Sequence, residues 1–135
     1  VDLQARLWVI PAERMKAGRE HRIPLSDAAV ALLRQQEQVL LAGVNLVFPS
    51  VRDHKPLSDM TLTAVLRRMQ RNDLTVHGFR STFRDWAAEA TDYPQEMAEM
   101  ALAHVVSNKV EAAYRRGDML EKRREMMQKW AEFIL

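Results

Sequence analysis

The stretch after Val76 places an apolar face and a cationic face side by side on one predicted helix. At about 100° per residue, an apolar set falls within about a third of the circumference: Phe79, Phe83, Trp86, Ala87 and Ala90. The neighbouring arc holds His77, Arg80 and Arg84. One face can therefore pack into a core while the next presents His and Arg together, where a helix N-terminus already favours a phosphate. Taken alone, His77 is more typical of a capping or surface histidine.

The first 24 residues predict a β-hairpin. Apolar segments at Leu7–Ile10 and His21–Pro24 flank a polar stretch that contains Gly18, which is typical of two strands joined by a turn. This region is rich in basic side chains: Arg6, Arg14, Lys16, Arg19 and Arg22. Most such charge runs are solvated surface. Contact of a basic finger with a phosphate backbone is the alternative interpretation.

Helix signals fill most of the next segment. Ser26–Asp27 is a candidate N-cap for a helix over 28–38. Ser58 is a second candidate N-cap, for a helix whose apolar positions recur at a helical period: Met60, Ala64, Val65 and Met69. Leu46–Phe48, just before a proline, predicts a short strand between the two helices.

Three further helices are predicted toward the carboxyl end. Pro94 suits the first turn of a helix that ends near His104. Ser107 is a candidate cap for a helix over 108–116. The last helix, 118–133, carries large apolar side chains: Met119, Met126, Met127, Trp130 and Phe133.

The bulk properties are those of an ordinary globular domain. At 135 residues, with 47% hydrophobic and 28% charged residues, the chain can bury a core. No apolar run approaches the roughly 18 residues of a membrane helix and no signal-peptide pattern is present, so we expect no membrane association and a cytoplasmic location. The absence of cysteine excludes disulfides and thiol catalysis. The patterns predict a mainly α-helical fold with a small antiparallel β-hairpin: hairpin 6–24 and a helical remainder 26–134.

Four polar residues occur in an order suited to phosphoryl transfer. The chain contains His77-Gly-Phe-Arg80, then Leu102-Ala-His104, then Tyr114. A phosphodiester under attack needs positive donors on its non-bridging oxygens, a nucleophile and groups that move protons. Arg80 is a permanent planar cation, and a tyrosine hydroxyl can form a covalent intermediate. Each residue alone is more typical of capping or packing, and only the joint pattern favours chemistry.

The order and spacing of these residues resemble the C-terminal catalytic domain of tyrosine recombinases, the phage integrase family. Within that family the chain looks most like the integrases of prophages and genomic islands. The resemblance runs from the region of Lys16 to the helix of Tyr114. It implies the C-terminal part of the tyrosine recombinase fold and site-specific DNA recombination, as in integration and excision of a viral genome.

The resemblance also implies a role for each matched residue. Tyr114 would attack the scissile phosphate, form a 3′-phosphotyrosyl link and release a 5′-hydroxyl, with no cofactor and no metal. Arg80 and His104 would contact the phosphate oxygens. His77 would accept a proton or donate a hydrogen bond in the transition state.

Lys16, at the hairpin turn, resembles the family lysine that protonates the leaving 5′-oxygen. A flexible ammonium on a loop suits that step. Arg14 and Arg19 compete for the same role, and together with Arg84 they are candidate DNA-binding residues.

One departure from the family pattern stands out. The family uses a first phosphate-binding arginine in a Gly-x-Arg-x-Gly-Glu-like context ahead of the hairpin, and no such segment occurs in these 135 residues. We expect 1–135 to be a partial catalytic domain that lacks this segment and the amino-terminal DNA-binding domain. Loss of one preorganised donor typically costs ~10²–10³ in rate, so we expect this chain alone to be nearly inactive.

The resemblance implies partners as well. These are double-stranded DNA attachment sites, a homotetramer on DNA that docks through the C-terminal helix, and accessory DNA-bending proteins. Met-rich helices suit such docking surfaces, although packing of the same side chains within the domain is equally compatible with the sequence. The expected location is the bacterial cytoplasm, in association with the nucleoid.

Three other interpretations compete. A type IB topoisomerase uses a similar constellation, but the short loops and prophage-like local sequence argue against it. A DNA-binding module without chemistry, such as a decayed integrase, or a helical interaction domain would also be compatible with parts of the pattern. A zinc enzyme is disfavoured because the four histidines show no paired-ligand spacing: His21, His54, His77 and His104.

Overall fold

The computed structural model describes residues 1–40, 43–51, 54–104 and 117–135. Within these ranges it has one two-stranded antiparallel sheet, a short 3-10 helix and five α-helices. The elements are β1 (Leu7–Ile10), the 3-10 helix (Ala12–Arg14), β2 (His21–Pro24), α1 (Asp27–Val39), α2 (Thr61–Arg68), α3 (Gly78–Glu89), α4 (Gln95–Ala101) and α5 (Leu120–Ile134). The predicted fold class is confirmed. The predicted helix over 108–116, with its cap Ser107, lies outside the described residues.

The hairpin forms where the sequence predicts it. β1 and β2 pair from Leu7 opposite Pro24 to Ile10 opposite His21. Gly18 lies in the connection with φ of +61°, a left-handed conformation that glycine adopts without steric cost. The connection between the strands is exposed around Gly18, so its basic side chains are carried on the surface.

The first helix follows its predicted cap. The Ser26 hydroxyl accepts a hydrogen bond from the Ala29 amide at 3.3 Å, and α1 begins at Asp27. Within this helix Val30 is buried, while Leu32 on the other face is 54% exposed. Arg6, just before β1, pairs with Asp27 and holds the start of α1 beside the hairpin.

Two local predictions before α3 are wrong. Ser58 is not the cap of α2, which begins at Thr61; the two hydroxyls instead lie 3.1 Å apart. The predicted apolar face of α2 is also wrong, because Leu66 is its buried residue and Met69 is 64% exposed. The predicted strand over 46–48 is absent among the described residues, where Pro49 makes an isolated bridge with Pro56. A lone extended segment has no second strand to complete a ladder.

The core lies between α3, α4 and α5. Its buried members are Phe83, Trp86, Ala87, Met97, Ala98 and Met126. Trp130 of α5 packs on Phe83 at 5.4 Å between ring centroids and on Trp86 at 5.1 Å. Phe79, predicted on the core face, is 51% exposed because the packed part of α3 begins one turn later, at Phe83. The first turn of α3 therefore lies outside the core and can present polar side chains at the surface.

The last helix is tied to the hairpin by a buried arginine. Arg123 is 1% exposed and donates to the Arg22 carbonyl at 2.8 Å, to the Asp118 carbonyl at 2.7 Å and to the Asp118 carboxylate at 3.1 Å. Arg22 adds a two-pronged contact to the same carboxylate at 2.7 and 2.8 Å. Burial opposes ionisation of Asp118, but these two arginines outweigh it and lower the pKa of that carboxyl. The cluster clamps the start of α5 onto β2.

The start of α5 differs slightly from the prediction. The helix begins at Leu120 rather than at position 118, after Met119 with φ of +52°. Phe133, predicted as part of its apolar face, is 61% exposed near the chain end. No described helix is long and apolar enough to cross a bilayer.

Candidate phosphate-binding site

The first turn of α3 carries the His77–Arg80 pair. α3 begins at Gly78, whose amide donates to the Thr75 hydroxyl at 3.0 Å, and the Arg80 amide donates to the His77 carbonyl at 3.0 Å. A side chain at position 78 would approach the Thr75 hydroxyl to 3.1 Å, so Gly78 makes room for this cap. His77 is exposed and lies one turn before Arg80.

Arg80 points across to the end of α4. Its Nη2 donates to the Leu102 carbonyl at 2.6 Å and lies 2.8 Å from Nε2 of His104. A terminal guanidinium nitrogen carries two hydrogens, so these contacts use Nη2 completely. Nη1 and Nε make no hydrogen bond to a described residue, so each can donate to an oxygen of an incoming anion.

His104 reaches Arg80 because the chain reverses at the end of α4. Ala103 has φ of +54°, with its amide donating to the Met100 carbonyl at 3.1 Å. The His104 amide donates to the Glu99 carbonyl at 2.9 Å. This pair of bonds is a Schellman motif, which ends a helix with one left-handed residue. The reversal places the imidazole beside α3 instead of continuing along the axis of α4.

Glu99 holds the other side of the His104 ring. Its Oε2 lies 2.5 Å from Nδ1 of His104, and its Oε1 lies 2.8 Å from Nε of Arg84 in an ion pair. The contact between Oε1 and Arg84 is an ion pair and not a hydrogen bond, and Oε1 has no hydrogen-bond partner among the described residues. The Glu99 side chain is only 19% exposed, so the carboxylate is largely shielded from water. The sequence predicts Arg84 as a DNA-binding residue. In the structure its side chain is half-exposed and paired with Glu99.

His21 joins the hairpin to this site. It lies on β2 and hydrogen bonds to the backbone of Ala101 at the end of α4, with the charges of Arg80 and Arg123 nearby. Burial lowers the pKa of His21 below its ordinary value of 6.5, and the charge of Arg123 lowers it further. The hairpin and the helix that precedes His104 are thus bonded together through a half-buried imidazole.

The structure brings some of the predicted site residues together and leaves others apart. Arg80 and His104 are in contact, and Arg84 is connected to His104 through Glu99. The remaining candidates with described positions are exposed, and their side chains make no hydrogen bond or ion pair with a described residue: Arg14, Lys16, Arg19 and His77. Tyr114 lies outside the described residues. Its role stays a prediction.

Sequence reasoning missed two residues of the site. Glu99 occurs five positions before His104, a spacing that becomes meaningful only once the Schellman motif turns the imidazole back toward α4. His21 was considered only as a candidate zinc ligand. Its link to Ala101 joins segments 80 residues apart in the chain, and no local pattern predicts such a contact.

The comparisons with known proteins identify the family. The model of the Phage integrase family matches residues 1–121 of the chain. The protein therefore belongs to the phage integrase family.

Its relatives among curated proteins are integrases of prophages and phages. The chain is 41% identical over 136 residues to Prophage integrase IntA of Escherichia coli (strain K12), a match that covers 99% of this chain and 32% of that protein. It is 34% identical over 150 residues to the Integrase of Enterobacteria phage P4, covering 98% and 34%. For the Integrase of Shigella phage Sf6 the identity is 32% over 136 residues, covering 99% and 35%. The chain thus spans about a third of the length of these relatives, and no solved structure matches it.

Proposed function

We propose that this chain is part of the catalytic domain of a site-specific DNA recombinase that integrates or excises a prophage. The observation that carries the proposal is the contact between Arg80 and His104, which joins two residues separated by 24 positions at an exposed edge of the molecule. Membership of the phage integrase family and the names of the integrase relatives support the same activity. Type IB topoisomerase chemistry is the less favoured reading of this site.

Arg80 is the proposed electrostatic anchor of the reaction. The scissile phosphate would accept a hydrogen bond from Nη1 or Nε, the nitrogens whose hydrogens the described structure leaves available. Charge accumulates on the non-bridging oxygens as the phosphorus becomes five-coordinate, so a fixed cation stabilises the transition state more than the ground state. The Leu102 carbonyl fixes the orientation of the guanidinium before DNA arrives.

Tyr114 is the proposed nucleophile. Its oxygen forms a bond to phosphorus while the bond from phosphorus to the DNA 5′-oxygen breaks, which leaves a 3′-phosphotyrosyl link and a 5′-hydroxyl. His77 is the proposed acceptor for the phenolic proton, and Lys16 the proposed donor to the leaving oxygen. Attack of a second 5′-hydroxyl reverses the same step on a new partner strand and releases Tyr114.

The exposed basic residues are proposed DNA contacts. Arg14 and Arg19 flank Lys16 on the connection between the strands, and they are available for phosphate groups beside the cleavage point. Arg84 is proposed to contact DNA from its exposed half. Such contacts position the duplex and carry no sequence information by themselves.

The complete enzyme is proposed to act beyond this chain. Residues 1–135 form a partial catalytic domain, and the first catalytic arginine and the amino-terminal DNA-binding domain belong to further parts of the enzyme. The proposed partners are double-stranded attachment sites, three further copies of the protein docked through α5 and accessory DNA-bending proteins. Action on a bacterial chromosome places the enzyme in the cytoplasm with the nucleoid.

A chimera tests this function. The matched third of Prophage integrase IntA is replaced by this chain, and covalent protein–DNA complexes are trapped on a nicked DNA on which that integrase acts. We expect trapping by the chimera and none after Tyr114→Phe. A folded chimera that binds the DNA as tightly as IntA itself but traps none would contradict the proposed catalysis.

A further inference from the structure

The His104 imidazole lies between a group that can only accept hydrogen bonds and a group that can only donate them. Its Nδ1 lies 2.5 Å from Oε2 of Glu99, and its Nε2 lies 2.8 Å from Nη2 of Arg80. An ionised carboxylate has no hydrogen to donate, and a guanidinium has no lone pair to offer. The ring therefore holds its proton on Nδ1, and the lone pair on Nε2 accepts from Arg80.

This arrangement sets a condition on any contact between His104 and a phosphate. Phosphate oxygens accept hydrogen bonds, so Nε2 with a bare lone pair would repel them. His104 can contact a phosphate only after Nε2 gains a proton and becomes a donor. The ring is then an imidazolium, and its charge needs an acceptor on the opposite side.

Glu99 is that acceptor. It is only 19% exposed, so its interaction with His104 is less screened than a surface pair. Among the described residues, the charged groups nearest the ring are Arg80 and Arg84 from α3 and Glu99 from α4, and His21 of β2 lies near Arg80. Arg84 pairs with the second oxygen of the Glu99 carboxylate, and the first oxygen contacts the imidazole.

We propose that Glu99 is a positioning residue that lets His104, once it is protonated on Nε2, donate a hydrogen bond to a phosphate oxygen. An arriving phosphodiester draws Arg80 away from Nε2, and Nε2 takes up one proton from solvent while Glu99 keeps its bond to Nδ1. The imidazolium then donates to a non-bridging oxygen. This inference rests on the proposed function, since it assumes that the anion of this site is a DNA phosphodiester.

The first test reads the tautomer directly. The chain is labelled with 15N, and long-range proton–nitrogen correlations of the His104 ring are recorded at neutral pH. We expect a protonated Nδ1 and an unprotonated Nε2, with loss of this preference in Glu99→Gln. Glu89→Gln, an exposed change on α3, is the matched control and should leave the ring signals unchanged. A His104 ring protonated on Nε2 in the unmodified chain would overturn the proposal.

The second test adds dimethyl phosphate, a diester with no proton of its own to titrate near neutrality. We expect the Nε2 signal to move to that of a protonated nitrogen on binding, and Glu99→Gln to weaken binding by about tenfold. Perturbation of the Arg80 Nε signal without protonation of Nε2 would overturn the proton uptake and leave the phosphate site intact. If neither Arg80 nor His104 responds, the phosphate site itself fails, and the proposed function with it.

Discussion

The base of the hairpin and its tip are built in opposite ways. At the base, Arg22 is bonded to Asp118 and to the buried Arg123, and His21 to the backbone of Ala101. At the tip, Lys16 and its arginine neighbours are exposed and unpaired among the described residues. A fixed base with an exposed tip is compatible with the proposed contact between these charged groups and DNA.

The same contrast separates the tip from the α3–α4 site. Arg80 and His104 are oriented by carbonyl and carboxylate partners before any ligand binds. Groups that stabilise charge gain from being fixed in advance, because no reorganisation is then needed during the reaction. A group that delivers a proton to a leaving oxygen must instead follow that oxygen, and the exposed position of Lys16 is compatible with this proposed role.

The largest expected effect comes from breaking the fixed base. Arg123→Met removes a cation that is 1% exposed and leaves the carbonyls of Arg22 and Asp118 without this donor, while the Asp118 carboxylate keeps only Arg22 as its arginine partner among the described residues. We expect a loss of about 3–5 kcal/mol in the free energy of unfolding, measured by urea denaturation. Lys122→Met, an exposed neighbour on α5, should stay within about 0.5 kcal/mol of the unmodified chain. Equal stability of the two variants would contradict the role of the clamp.

A smaller effect of opposite sign is expected at the turn that presents His104. Ala103 holds a left-handed conformation with φ of +54°, which strains a residue with a Cβ atom. Ala103→Gly relieves the strain but adds conformational freedom to the unfolded chain. We therefore expect a net gain of about 0.5–1 kcal/mol in the free energy of unfolding, measured by thermal denaturation. A loss of stability would show that the reversal at α4 is not strained.

A still smaller effect should appear as a pH dependence. The pKa of His21 is lowered in the folded chain, so the unfolded chain binds the proton more readily. Stability should therefore fall as pH drops below 6.5 and level off below the folded pKa. His21→Gln should flatten this part of the curve measured by urea denaturation. An unchanged slope in that variant would remove His21 from the account.

No measurable effect on stability is expected at the tip. Lys16→Ala and Arg19→Ala remove exposed side chains without a described partner, so the free energy of unfolding should change by less than about 0.5 kcal/mol. In the chimera we nevertheless expect Lys16→Ala to slow cleavage. A large loss of stability would show that the tip is bonded to the rest of the domain.

The sequence predicts the elements better than it predicts their contacts. Capping at Ser26 and the helical period after Val76 predict α1 and α3 because both signals are local. Phe79 and Met69 were predicted on the apolar faces of their helices but are exposed, because a helical period cannot show where a neighbouring helix begins to pack.

The candidate site was predictable in part for the same reason. Arg80 and His104 were found by their order along the chain, and the structure shows their contact. The contact of Glu99 with His104 depends on the chain reversal at Ala103. The place of His21 in the site depends on a link between the hairpin and α4. Both are products of tertiary structure, which composition and periodicity do not encode.

The cleavage rate of the chimera after Arg80→Ala tests the central claim most directly. Arg67→Ala, an exposed change on α2, is the matched control. We predict that Arg80→Ala lowers the rate of covalent complex formation by ~10²–10³ while DNA binding changes little, and that Arg67→Ala leaves the rate unchanged. A cleavage rate for Arg80→Ala equal to that of the control would contradict the assignment of this site as the phosphate-binding centre.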